Sequence, residues 1–153
     1  MDGADYRVVK TYRNLPCAHR RWRHRGHCAF IHGYSRSVTL TFGSRERDEN
    51  GFVIDFGGSL RPVKEWLKEQ FDHTLLLDTD DPLLPTFREL ERQGACRLTV
   101  FAQVGMEGSA RYVYDWVSKW LIEAFDDRVW LVSVECREND KNAAIYSPKS
   151  SRG

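Results

Sequence analysis

The sequence contains no long run of apolar residues. No segment approaches the roughly 18 apolar residues that cross a bilayer, and the first residues lack the charged-then-apolar pattern of an export signal. We therefore expect a cytoplasmic protein that does not bind membranes. The chain has 153 residues, of which 41% are hydrophobic, which is enough for one substantial core but leaves little room for a second. Residues 1–153 are predicted to form a single domain.

Cysteine is scarce, and its four residues are widely separated along the chain: Cys17, Cys28, Cys96 and Cys136. There is no Cys-x-x-Cys pair, and the cysteines and nearby histidines fit none of the usual zinc-finger spacings. Scattered cysteines in a chain of this length and compartment are expected to be free thiols rather than disulfides.

An excess of charge of one sign is also missing. Lys and Arg number 23 and Asp and Glu 22, for a formal net charge of +1, which does not support a general nucleic-acid coat. The basic residues are nevertheless clustered, because residues 19–27 contain four arginines, three histidines and no acid. Such an unbalanced loop predicts an anionic ligand such as a phosphate ester.

Hydrophobic periodicity predicts an α+β fold. Two helices with apolar stripes are expected at 60–70 and from Ser109 to Phe125, with a short helix near 87–92. Strands are expected at 6–12, 32–42, 52–54, 97–102 and 129–136, and the second and third of these are expected to form an antiparallel hairpin. These elements predict a four-stranded antiparallel sheet with two helices packed on one face.

A group of histidines indicates a possible metal site. His32 and Tyr34 are two apart on a predicted strand, so their side chains leave from the same face. His19, at the end of the preceding strand, joins them if the two strands are neighbours. Neutral imidazoles suit zinc, and a catalytic zinc takes three protein ligands and leaves one position open. The alternative is that these histidines cap strands or form local hydrogen bonds.

Three further positions are candidates for chemistry. Cys28 is either an inert thiol or a proton-transfer group activated by nearby cations. His73, preceded by Asp72, is a candidate general acid or base held by a carboxylate. Glu135 lies on an otherwise apolar strand, on the face predicted to carry Leu131, and needs an internal arginine or a ligand with paired N–H donors.

These motifs, taken in order, resemble the family of 6-pyruvoyltetrahydropterin synthase and bacterial 6-carboxytetrahydropterin synthase. Five segments match over most of the chain: Cys17-Ala18-His19-Arg20, Cys28 through His32-Gly33-Tyr34, Gly51 through Asp55-Phe56, Phe71-Asp72-His73 and Val134-Glu135. The resemblance implies a tunnelling fold in which three subunits close a barrel of strands and two rings form a hexamer. It also implies that substrate sites lie between subunits.

The resemblance assigns a role to each candidate residue. His19 and His32 would be Zn²⁺ ligands, Cys28 the proton-abstracting thiol, and Asp72 and His73 its partner pair. Glu135 would anchor the pterin, and the substrate would be 7,8-dihydroneopterin triphosphate. From charge alone, we expect Arg20, Arg21, Arg23 or Arg25 of the loop to neutralise the triphosphate, with Arg20 and Arg23 as the first candidates.

The sequence departs from the family pattern at two positions. Tyr34 stands where the family has its third zinc histidine, and we expect His27, or alternatively His24, to supply the missing nitrogen. Arg111 replaces a glutamate at the start of the second long helix, where it would alter recognition of the substrate.

The predicted function is a zinc-dependent lyase that makes 6-carboxy-5,6,7,8-tetrahydropterin on the route to 7-deazaguanine compounds such as queuosine. One alternative keeps the pterin site but forms another product, such as 6-pyruvoyltetrahydropterin. A second is a metal-free module that holds a nucleotide, RNA phosphate or protein partner with the Arg-Trp-Arg loop.

Overall fold

The computed structural model describes residues 5–149, and within that range the chain forms six strands and three helices. One mixed sheet contains all six strands, in the order β4-β3-β1-β2-β5-β6. A short 3₁₀ turn at His27–Ala29 precedes the second strand. In chain order the elements are β1 (Tyr6–His19), β2 (His32–Ser44), α1 (Arg61–Phe71), β3 (Thr74–Asp78), α2 (Leu84–Arg92), β4 (Leu98–Phe101), α3 (Met106–Phe125), β5 (Trp130–Arg137) and β6 (Ala143–Tyr146).

The α+β class is confirmed, but the predicted four-stranded antiparallel sheet is wrong. Strands β1, β2, β5 and β6 are antiparallel neighbours, whereas β3 and β4 extend the sheet in parallel from the end of β1. The predicted strand at 52–54 is not formed, and β2 pairs with β1 instead. All five residues of β3 are buried, so this strand lacks the alternation that marks a half-exposed strand.

The helices α1 and α3 bury their apolar stripes in the main core, as the periodicity predicts. Trp66 of α1 stacks on Trp116 of α3 with ring centroids 4.4 Å apart. The aromatic residues of α3 are partly buried and pack against the core. The third helix, α2, forms a small separate cluster in which Phe87 packs with Leu75 and Leu77 of β3.

A β-bulge changes the predicted alternation of β5. The pairing with β2 shifts between Thr41 and Phe42, and the extra residue places both Leu131 and Val134 in the core. A bulge adds one residue to one strand and so reverses the phase of its side chains. Glu135 lies between buried Val134 and Cys136, so its side chain leaves the sheet on the face opposite the core.

The helix α3 begins three residues before the predicted start. Gly105 is its N-cap, and Ser109 is fully buried within the first turns. A Cβ atom at Gly108 would lie 1.9 Å from the carbonyl oxygen of Gln103, so the backbones approach too closely here for any other residue.

The four cysteines are free thiols, as predicted. Among residues 5–149, no helix is both long enough and apolar enough to cross a bilayer.

Candidate metal centre and acid–base pair

The histidines at the ends of β1 and β2 face each other across the sheet. His19 and His32 are register partners, and their ring centroids are 4.4 Å apart. The carbonyl oxygen of Phe30 lies 2.7 Å from Nδ1 of His32 and accepts its proton. Nε2 of His32 then keeps a free lone pair, which is the usual arrangement for a metal-binding histidine.

Arg36 holds the other histidine from inside the core. It is only 1% exposed, and it donates to Ser109 Oγ at 2.8 Å and to Nδ1 of His19 at 3.0 Å. Burial, followed by the positive charge of Arg36, lowers the pKa of His19 to about 3. The ring of His19 is therefore neutral at physiological pH. The hydrogen bond from Arg36 reaches Nδ1 and not the other ring nitrogen, Nε2.

Glu138 completes a group of possible metal ligands that the sequence did not indicate. One ligand atom from each of His19, His32 and Glu138 lies within 4.8 Å of the other two. Glu138 follows the last residue of β5 and continues the alternation of Val134 and Cys136, which places it on the same face as the two histidines. Tyr34 stands beside the group, with its ring 5.8 Å from that of His32 in an edge contact.

The donor set fits a divalent metal. Two imidazole nitrogens and one carboxylate form a ligand set that catalytic zinc sites use, with a fourth position left for water or substrate. His32 is correctly oriented by its carbonyl partner, and the carboxylate supplies the negative charge that offsets a cation next to buried Arg36. The hydrogen bond from Arg36 to His19 opposes metal binding. It occupies Nδ1 and leaves the ring proton on Nε2, so neither nitrogen of the ring has a free lone pair.

His27 and Cys28 lie together on the 3₁₀ turn before β2. The turn is held by a hydrogen bond from the amide of Arg21 to the carbonyl of Cys28, with a length of 2.8 Å. Cys28 is partly buried and His27 is exposed. Within residues 5–149, His27 is not a member of the ligand group that contains His19 and His32.

The predicted pair of Asp72 and His73 is formed. Nδ1 of His73 lies 2.7 Å from Oδ1 of Asp72, although neighbouring side chains usually point apart. The cause is the backbone of His73, whose φ of 59° is uncommon for a residue other than glycine. The amide of His73 also donates to the carbonyl of Pro16 at 2.6 Å. The imidazole is 83% exposed, so it is oriented by Asp72 and open to a ligand.

The basic loop is not unbalanced, and this expectation is corrected. Arg20 donates to both carboxylate oxygens of Asp81 at 2.6 and 2.7 Å. The Asp81 side chain is fully buried, and the hydrogen bonds from Arg20 lower its pKa. The guanidinium of Arg20 is thereby committed to a fold contact instead of being free for a phosphate.

Two other arginines of the loop follow the same pattern. Arg21 donates to Asp78 at 3.0 Å, and Arg23 donates to Asp80 at 3.1 Å. Trp22 adds a hydrogen bond to Asp80 from its indole nitrogen. Aspartates at the end of β3 and in the segment after it therefore pair with three of the four loop arginines, and these ion pairs compete with the predicted role of Arg20 and Arg23 at a phosphate.

The remaining predicted residues lie apart from the histidines. Arg111 binds Asp115 one turn along α3 at 3.1 Å, and its guanidinium lies over the ring of Tyr146. Glu135 lies 3.4 Å from Arg137 on the face of the sheet that the core leaves uncovered. One chain alone does not bring Glu135 to the face that carries His32.

Comparison with known proteins assigns the family. The profile of the family described as 6-pyruvoyl tetrahydropterin synthase matches residues 8–149. The chain belongs to this family. Among curated relatives, the 6-carboxy-5,6,7,8-tetrahydropterin synthase of Aquifex aeolicus is 29% identical over 137 residues, covering 78% of this chain and 83% of the relative. The protein of the same name from Rickettsia conorii is 38% identical over 76 residues, covering 48% of this chain and 55% of the relative.

Solved structures of the family share the fold. An uncharacterized protein from Wolinella succinogenes superposes with a TM-score of 0.81 at 22% identity, covering 96% of this chain and 100% of that chain. A 6-pyruvoyltetrahydropterin synthase from Plasmodium vivax gives a TM-score of 0.66 at 16% identity, with coverages of 95% and 98%. The sheet and helices that position the histidines therefore share their overall fold with both of these solved structures.

Proposed function

We propose that the protein is a cytoplasmic, metal-dependent lyase that converts 7,8-dihydroneopterin triphosphate to 6-carboxy-5,6,7,8-tetrahydropterin, a step toward 7-deazaguanine compounds such as queuosine. The observation that carries the proposal is the meeting of His19, His32 and Glu138 within 4.8 Å at the position where the family motifs lie. The names of the curated relatives favour this product over 6-pyruvoyltetrahydropterin.

The metal, with Zn²⁺ as the best match to these donors, would be held by His19, His32 and Glu138. When bound, it would polarise the side-chain oxygens of the substrate and stabilise negative charge on them. Glu138 replaces His27 in our assignment, because the carboxylate lies in the ligand group and the imidazole does not. Tyr34 then packs beside His32 without being required as a ligand.

Proton transfer is assigned to Cys28 and to the pair of Asp72 and His73. Asp72 accepts the Nδ1 proton of His73, which leaves Nε2 as the nitrogen able to take or give a proton. Cys28 lies on the turn that leads directly into the strand of His32, so a substrate at the histidines is within reach of the turn.

Glu135 is proposed to bind the amino-pyrimidine edge of the pterin from a neighbouring subunit. Its carboxylate matches paired N–H donors, and it faces the uncovered side of the sheet. A trimer or hexamer would bring this side of one chain to the histidines of another. The proposal requires such an assembly, because the site residues of a single chain leave the sheet on opposite faces.

Incubation of the purified protein with 7,8-dihydroneopterin triphosphate, followed by mass spectrometry of the products, tests the activity. We expect 6-carboxy-5,6,7,8-tetrahydropterin from the wild type and none from Cys28→Ala. A 6-pyruvoyl product would support the alternative enzyme instead. No turnover by a protein that carries its metal would contradict the proposal.

Metal analysis of the same preparations tests the ligand assignment independently of turnover. We expect about one zinc per chain, a strong loss in Glu138→Gln, and wild-type content in both His27→Ala and Tyr34→Phe. In the Glu138→Gln variant, we expect the further change Tyr34→His to restore the metal content, because it places an imidazole two residues after His32. Full metal content in Glu138→Gln would show that Glu138 is not a ligand.

A further inference from the structure

A second region of the chain collects unpaired positive charge. A cavity of about 530 Å³ lies between β1 and α1. Within residues 5–149, none of its basic side chains forms an ion pair, and no acidic residue lines it. The five cations around the cavity are Lys10, Arg13, Arg61, Lys64 and Lys68.

The fold brings these cations together from two elements. Arg61, Lys64 and Lys68 are spaced three and four residues apart on α1, so they lie on one face of that helix, which Glu65 shares without lining the cavity. Lys10 and Arg13 come from the adjoining stretch of β1. Because like charges repel one another, the convergence of these cations around an empty volume favours a compensating anion.

A buried hydroxyl gives an independent indication of a ligand. Tyr12 lines the same cavity and is only 9% exposed, yet its hydroxyl has no hydrogen-bond partner within the described residues. A buried hydroxyl left unpaired costs about 1–3 kcal/mol, and a small turn of the Tyr12 ring toward the cavity would let a phosphate oxygen accept its proton.

We propose that this cavity binds a triphosphate chain, with Lys64 and Lys68 as its principal contacts. The assignment deepens the proposed function, and rests on it for the identity of the ligand as the triphosphate of the pterin substrate. The cavity is next to the acid–base pair: the carbonyl of Lys68 accepts the amide of Asp72, and the amide of His73 reaches Pro16 beside the lining residue Leu15. The loop arginines expected to hold the phosphates are instead paired with aspartates.

Isothermal titration calorimetry with inorganic tripolyphosphate tests the site without requiring turnover. Removal of one charge-assisted hydrogen bond should weaken binding about tenfold, so Lys64→Gln with Lys68→Gln should raise the dissociation constant about a hundredfold. The dissociation constant of the wild type should also rise steeply with salt. The matched control is Lys119→Gln with Lys141→Gln, which removes two lysines outside the cavity and should bind like the wild type.

The outcomes separate this proposal from the lyase proposal. The assigned site would be overturned if tripolyphosphate binding weakened equally in both double variants. It would also be overturned if Lys64→Gln with Lys68→Gln bound tripolyphosphate as tightly as the wild type. Tripolyphosphate binding that disappears with the cavity lysines, in a protein that never turns over the pterin, would keep the site and reject the lyase. Titrations with orthophosphate and with GTP show whether the site binds the phosphate chain alone or also requires a nucleobase. Tighter binding of orthophosphate than of tripolyphosphate would contradict a triphosphate site.

Discussion

At the scale of single residues, Arg36 is the side chain that most affects the candidate metal centre. It is buried with its guanidinium against His19, Ser109 and the carbonyl of Val104, and its Nε has no partner within the described residues. Because an arginine only donates, Nδ1 of His19 must accept, and the neutral ring carries its proton on Nε2. A metal-binding histidine normally donates from its other ring nitrogen to such a second partner instead.

We predict that Arg36→Met raises metal affinity. The change removes a positive charge beside the ligands and frees Nδ1 of His19 to carry the ring proton, so the affinity for Co²⁺ should rise roughly tenfold or more. Competition with a chelating dye measures this value, and Arg36→Lys is the control that keeps the charge. Unchanged or weaker Co²⁺ binding in Arg36→Met would show that the contact does not limit affinity.

The pair of Arg20 and Asp81 makes stability depend on acid pH. The pKa of Asp81 is lowered from 3.8, so the folded state binds its proton less readily than the unfolded state does. The resulting stabilisation is present above pH 3.8 and is lost as the pH falls through the lower folded value. Urea unfolding at pH 7 and pH 3 should therefore show a larger acid loss in the wild type than in Asp81→Asn. An equal loss in both proteins would rule out this pair as a source of the dependence.

The sequence predicted part of the site because part of the signal is local. His19 and His32 were identifiable from their places at the ends of two β-forming segments that were expected to be neighbours. Glu138 was missed because nothing near it in sequence marks it as a ligand, and its position depends on the pairing and bulge of β5. The partners of the basic loop were missed because Arg20 and Asp81 are 61 residues apart in sequence.

At the scale of elements, patterns of burial decided which predictions were right. The amphipathic helices α1 and α3 were predicted to within a few residues, since each has one apolar face. The strand β1 continues to His19 through a register shift between Tyr12 and Leu15, seven residues beyond the strand predicted at 6–12. The buried strand β3 and the edge strand β6 lack the alternation that sequence analysis uses.

We predict that Gly108→Ala destabilises the start of α3 and the histidine site with it. The new Cβ would meet the backbone of Gln103, and relief of that contact must move the turn that carries Ser109, the partner of Arg36. Overpacking of this kind costs about 1–3 kcal/mol, which urea denaturation measures. Glu107→Ala, at an exposed position of the same turn, should change stability by less than about 0.5 kcal/mol. A Gly108→Ala protein as stable as this control would contradict the prediction.

At the scale of the whole molecule, the sheet formed by residues 5–149 has unpaired strand edges and one polar face. Strand β6 has a neighbour on one side only, and β1 pairs with β3 only over its last three residues. The side of the sheet away from α1 and α3 carries polar residues such as Thr11 and Thr39, whose hydroxyls are 2.9 Å apart. Open edges and a polar inner face are what subunits closing a barrel require.

We predict that Ile145→Lys on β6 breaks the assembly. Ile145 is 67% exposed on this edge strand, and a lysine on an edge opposes strand pairing between chains. Sedimentation velocity should show a trimer or hexamer for the wild type and a monomer for the variant. Ile122→Lys, at a position that is 62% exposed on α3, should leave the assembly intact. A wild-type monomer, or equal assembly of Ile145→Lys, would contradict a barrel closed through β6.

The ion pairs between the basic loop and the aspartates affect where an anionic ligand first meets the protein. A net charge of +1 hides a separation among the described residues: Arg20, Arg21 and Arg23 of the loop form ion pairs with aspartates, whereas no acidic residue lines the cavity that the cations of α1 and β1 surround. An approaching polyanion therefore meets cations without ion-pair partners at this cavity. Diffusional capture should begin there, close to the exposed imidazole of His73, and its rate should fall as ionic strength rises, even where the chemical step itself is insensitive to salt.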